Sequence, residues 1–196
     1  MTSSKPSILH LDTKAITVLA HPLRSRLVTL LRTHGPATAT ELARQLETNT
    51  GATSYHLRKL ASVGLVEETQ DGRGRERPWR AATEMHGWTE HEVAYDPDAK
   101  AASDWLRGYY LRSFLERYER WLDVEASWPM AWQDVAGASD FAVRLTPARL
   151  EALNADIQAL YERYRALAES EPASADDDEQ LIQVQVHAFP FEARPR

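Results

Sequence analysis

Residues 49–64 read NTGATSYHLRKLASVG. Asn49 carries the side-chain oxygen that caps a helix start, and Gly64 is the residue type that marks a helix end. Between them Thr53, Leu57 and Leu60 recur at the three- and four-residue spacing of one helical face. The spacing predicts a helix from Thr50 to Val63 with that face in the core. Ser54, Tyr55 and Arg58 then lie well away from the buried stripe, on a polar outer side.

Working outward toward the N-terminus, the pattern stays helical. Asp12 is an N-cap for a short first helix ending near Ala20. Pro22 suits the first position of a second helix, where Leu23, Leu27, Leu30 and Leu31 share a face and Gly35-Pro36 stops the chain. Thr38 and Glu41 form a capping box, which predicts a third, short helix that turns Leu42 and Leu46 inward. Two short helices therefore meet across a tight turn. Beyond Gly64, Leu65 to Gln70 and Glu76 to Ala81 read as strands of a β-hairpin whose tip, residues 71–75, carries arginines. Trp79 is expected to pack this hairpin onto the body rather than to stack on a base.

A helix for the major groove beside a cationic hairpin for the phosphates is the geometry that reads duplex DNA. The segments LAHPLRSRLVTLL, TELARQL and TSYHLRKLASVGLV, followed by QDGRGRERPWR, carry a resemblance: residues 15–82 resemble the ArsR-type winged helix-turn-helix regulators of bacteria. GATSYHLRKL, residues 51–60, resembles the recognition helix of a subgroup with an extended C-terminal region. The resemblance implies that Thr50, Gly51, Ser54, Tyr55 and Arg58 face the groove, with Lys59 beside them. Arg58 is able to bond a guanine edge or a phosphate, and both readings stand. His56 reads either as a phosphate contact or as a hydrogen-bonded histidine at the edge of the core. Arg73, Arg75 and Arg77 supply cations for phosphates, the alternative being a solvated turn. One small winged helix touches few bases, so a homodimer on a palindromic operator of double-stranded DNA is expected. The family usually represses. Many of its members sense metals through cysteines on the third helix or through His and carboxylate pairs on flanking helices. Here the third helix reads ELARQL without cysteine, the long helix from Asp98 has no histidine, and His86 and His91 are read as flanking an irregular segment, so no metal is expected.

The C-terminal part is read from periodicity. Asp98 to about Glu125 forms a long helix with a broad aromatic stripe. Phe141, Val143 and Leu145 alternate as a strand, and Thr146-Pro147 opens a helix with Leu150, Leu153, Ile157, Leu160, Tyr164 and Leu167 on one side. The acidic stretch 171–179 is a connecting loop, and Leu181 to Ala188 alternates as a final strand. Trp105, Tyr109, Phe114, Trp121, Trp128 and Trp132 line a small-molecule effector pocket or build a dimer core, and the two are compatible. The fold class is α+β: a winged helix-turn-helix domain over residues 1–82, then a helix-strand-helix-strand region over residues 83–196 for dimerisation and effector binding.

Composition agrees with this division. The chain of 196 residues has a net charge of −6, yet residues 1–82 hold 12 Lys and Arg against 7 Asp and Glu, a net of +5, and the rest is −11. The basic part is the one read as touching DNA. Without cysteine there is no disulfide, thiolate nucleophile or thiolate metal site, and a reducing compartment is expected. No apolar run reaches the roughly 18 residues of a spanning helix, and Met1 to Pro6 lacks the pattern of a secretory signal, so the expectation is a cytoplasmic protein off the membrane. No catalytic motif is present, and no cofactor is implied; the reading is a regulator and not an enzyme. The rival reading is a winged-helix adaptor that contacts only proteins.

Overall fold

The computed structural model describes residues 8–70, 77–170 and 179–192. The chain forms two compact units, residues 1–113 and 114–196. The first contains β1 (Ile8–His10), α1 (Thr13–Leu19), α2 (Pro22–Thr33), α3 (Ala39–Gln45), α4 (Thr50–Ala61), β2 (Val66–Glu68), β3 (Trp79–Ala81), β4 (Met85–Gly87) and α5 (Glu90–Val93). The long α6 (Pro97–Val124) runs from the first unit into the second, which adds α7 (Met130–Val135) and α8 (Pro147–Ser170).

Caps fix the first four helices. The Asp12 carboxylate accepts from the Ala15 amide at 2.7 Å and Asn49 Oδ1 from Ala52 at 2.7 Å, each satisfying a donor that helix geometry leaves free. At α3 the capping box closes in both directions: the Glu41 amide donates to Thr38 Oγ1 at 3.2 Å and the Thr38 amide donates to Glu41 Oε2 at 2.7 Å. The Thr38 amide and, at 2.8 Å, the Thr38 hydroxyl both donate to Glu41 Oε2 and hold that carboxyl below its usual range. Thr38→Ala removes this cap and is expected to lower stability by about 1 kcal/mol; a shift of the thermal midpoint checks it. Gly64, at φ +74°, takes the left-handed turn that ends α4.

Leu27, Leu42, Leu57, Leu60 and Leu65 are buried against one another with Ile16 and Leu19. The hairpin closes the other side. Val66 pairs with Ala81 and Glu68 with Trp79 in an antiparallel ladder, and Trp79 exchanges backbone bonds with Ala37 at 2.8 and 2.9 Å. Trp79 is buried, so it does pack the hairpin onto the body. The strands are shorter than the sequence predicts: the Thr69 amide donates to the Pro78 carbonyl at 2.7 Å, but Pro78 has no amide to return a bond. The hairpin tip, with Arg73 and Arg75, lies outside the described residues.

This unit extends beyond Ala82, where the sequence reading ends the first domain. β4 pairs in parallel with β1, and Ala99, Ala102 and Leu106 of α6 are buried in the same core. β1, β4 and α5 are too short to give a periodic signal. His86 and His91, expected to flank an irregular segment, sit in β4 and α5, and only His91 of that pair is exposed.

The second unit departs from the expectation. Phe141 to Leu145 and Leu181 to Ala188 belong to no ladder among the described residues, so the predicted strands do not form there. Alternation supplies a two-faced segment, but a strand also needs a neighbour for its backbone donors and acceptors. α8 has the expected helical span, yet none of its described residues is fully buried, and Leu160, Tyr164 and Leu167 stay exposed. No helix of the described residues is long and apolar enough to cross a membrane.

Candidate nucleic-acid interface

α4 presents one face to the core and another to solvent. Thr53, Leu57 and Leu60 are 0% exposed, and the Thr53 hydroxyl donates to the Asn49 carbonyl at 3.1 Å, so this polar residue enters the core satisfied. On the outer side Thr50, Gly51, Arg58 and Lys59 are exposed, Tyr55 is 50% exposed and Ser54 is half-buried. Lys59 Nζ lies 5.8 Å from the Tyr55 ring centroid, one helical turn away, so the two side chains share a patch. A Cβ at Gly51 would meet the capping Asn49 Oδ1 at 3.3 Å, a tight contact that favours glycine in the first turn.

α3 and α4 meet across the turn 46–49, where Glu47 takes a positive φ of 52°. That turn sets the recognition helix against α3, and the hairpin follows directly from its C-terminal end. In the hairpin, Arg77 is exposed and reaches Glu68 only at 3.5 Å, whereas Arg80 is held by Glu67 at 2.8 Å. Arg77 is thus the freer of the two cations among the described residues.

His56 is half-buried. Its ring stands 4.6 Å from that of His21, and its Nδ1 is shielded from solvent without a hydrogen-bond partner. His21 Nδ1 accepts from the Leu23 amide at 3.1 Å, so His21 caps α2. Neither His21 nor Arg24, which joins this group, was singled out in the sequence; each lies off the leucine stripe in the stretch HPLR, and a histidine cap has no strong sequence signature.

A second polar group, also unforeseen, ties α2 to β4 and α6. Arg32 donates through Nε to the Thr83 carbonyl at 3.0 Å and through Nη1 to His86 Nδ1 at 2.7 Å. His86 Nδ1 is therefore the acceptor, and Nε2–H donates to the Tyr110 hydroxyl at 2.9 Å. Burial, aided by Arg32, pushes the His86 pKa down to about 3, and burial brings Arg32 down to about 10 and raises Tyr110. Both ring nitrogens of His86 are engaged, which leaves no lone pair for a metal.

The aromatic candidates fall into three ring groups. Trp105 stacks on Tyr109 at 5.1 Å in the first unit. In the second, Phe114 stacks on Tyr118 at 6.1 Å, and Trp128 meets Trp121 at 5.3 Å and Trp132 at 6.3 Å. A cavity of about 160 Å³ lies beside Leu30, Pro36, Ala37 and Leu42.

Residues 19–69 match the helix-turn-helix domain family, the span that holds α2, the two helices across the turn and β2. This chain is a winged helix-turn-helix protein. Among solved structures it is similar to the homodimeric winged helix-turn-helix DNA-binding domain of a possible ArsR-family transcriptional regulator from Mycobacterium bovis, at 22% identity over 53% of this chain and 76% of that one, with a TM-score of 0.34. It is similar to a possible transcriptional regulator for arsenical resistance at 30% identity, over 56% of this chain and 94% of that one, with a TM-score of 0.32. ZitR from Lactococcus lactis in apo form is similar at 16% identity over 74% and 83%, with a TM-score of 0.33. No curated protein matches the chain. The winged helix-turn-helix protein is α+β, and the strands among the described residues lie in the first unit.

Proposed function

We propose that this winged helix-turn-helix protein is an ArsR-type, DNA-binding transcriptional regulator, acting as a homodimeric repressor on a palindromic operator in the cytoplasm. The observation that carries the reading is the division of α4: Thr53, Leu57 and Leu60 are 0% exposed while Thr50, Gly51, Tyr55, Arg58 and Lys59 stand out to solvent. Ser54 and the outer residues reach base edges, Arg58 first among them, and Arg77 with Arg73 and Arg75 of the hairpin takes phosphates on the flank. The net of +5 over residues 1–82 supports a polyanionic partner. The dimer is supported by the second unit, where none of the described residues is fully buried although α8 carries an apolar stripe. A second copy is the cover that also supplies the second recognition helix. An apolar or planar effector would bind beside that seam, at the tryptophan groups, and change the spacing of the two helices.

Binding of a fluorescent random-sequence duplex across a salt series tests the reading. The expected result is measurable affinity that falls steeply as salt rises, since each neutralised phosphate releases counterions. Absence of binding at low salt would favour the protein adaptor. Arg77→Ala is expected to weaken binding to every duplex alike and to lower the slope of log affinity against log salt by about one.

A further inference from the structure

We propose that His21, Arg24 and His56 form a second phosphate seat for the DNA backbone, beside the base-reading face of α4. The inference rests on the DNA-binding reading and adds His21 and Arg24 to His56, for which the sequence already offers a phosphate contact. All three side chains are half-buried and clustered where the start of α2 meets α4. The rings of His21 and His56 stand 4.6 Å apart, and the His56 ring meets the Tyr55 ring edge at 5.2 Å, so the cluster is continuous with the exposed patch of α4.

The cluster lacks an anion. Among the described residues Arg77, Arg80 and Arg107 each have a carboxylate neighbour, Glu68, Glu67 and Glu90. Arg24 has none, and its Nε is shielded from solvent without a hydrogen-bond acceptor; His56 Nδ1 is likewise unpartnered. An unpaired donor of this kind lowers stability unless something else compensates. The titratable and charged groups facing the two rings are each other and Arg24, with Tyr55 at the edge of Arg24. Desolvation first lowers both histidines below their usual range; Arg24 adds to it at His21, and His21 and then Arg24 add to it at His56. A phosphodiester supplies the missing counter-charge. It pairs with the half-exposed Arg24 side chain in a charge-assisted bond. It also raises the proton affinity of both rings, because an anion favours the imidazolium.

The sign of the linkage follows. The bound state holds more protons than the free protein, so affinity rises as pH falls and the gain levels off below the lowered range of the free rings. Wild-type full-length chain, Arg24→Gln, Arg24→Lys and His56→Gln are titrated with a fluorescent random-sequence duplex across salt and pH, each first checked for an unchanged thermal midpoint. The expected result is a salt slope lower by about one in Arg24→Gln and kept in Arg24→Lys. His56→Gln should bind with a weaker pH dependence than wild type. If wild type binds with a steep slope, and neither Arg24→Gln nor His56→Gln alters slope or pH profile, the seat is overturned and the DNA-binding reading stands. If wild type itself fails to bind, both fall.

Discussion

Arg58→Ala is expected to lower affinity for the preferred duplex by about 1–3 kcal/mol, roughly fivefold to more than a hundredfold, and to relax the preference at one position of each half-site. The expectation follows from where α4 puts this side chain. Arg58 lies one residue past Leu57, which is 0% exposed, and no carboxylate among the described residues holds it. A planar guanidinium free on a groove-sized helix is suited to two parallel bonds with a guanine edge. Competition binding of wild type and variant, with preferred and random duplexes side by side, checks it. A uniform loss on both would assign Arg58 to a phosphate, and no loss on either would remove it from the interface.

Arg32→Met is expected to lower folding stability by about 2–4 kcal/mol, because it leaves the part-buried Thr83 carbonyl and His86 Nδ1 without their donor. The loss is moderated by removal of a desolvated cation whose Nη2 has no hydrogen-bond partner. A chemical denaturation midpoint indistinguishable from wild type would show that packing alone holds β4 and α6 on α2. His86 adds a pH signature to the same group. Its folded pKa of about 3 lies below the ordinary 6.5, so the unfolded chain takes up the proton first. The stability tied to neutral His86 is whole above pH 6.5 and is lost as the pH falls toward 3, with a limiting slope of about 1.4 kcal/mol per pH unit. His86→Gln is expected to flatten that part of the profile relative to wild type, as measured by denaturation at a series of acid pH values.

Much of the first unit is legible in the sequence because its signals are local. Asp12, Pro22, the Thr38 and Glu41 pair, Asn49 and Gly64 each act within a turn of where they stand, and all mark helix ends in the structure. Leucine periodicity then fixes the inner face of α4, and the outer face follows by rotation. The features missed depend on partners far along the chain. β1 gains its strand character from β4, paired across about seventy-five residues, and Arg32 is understood only once His86 and Tyr110 are beside it. The second unit shows the converse. Residues 181–188 have the alternation of a strand, but a period of two describes side chains and does not supply the ladder that makes a sheet.

Selection of bound duplexes from a random pool by the full-length protein tests the central claim most directly. The account predicts enrichment of a two-fold symmetric sequence whose half-sites lie about one helical turn apart, 10–11 base pairs centre to centre, and loss of that enrichment with Arg58→Ala. A pool that remains random after selection, or one enriched equally by wild type and by the Arg58→Ala variant, would contradict it.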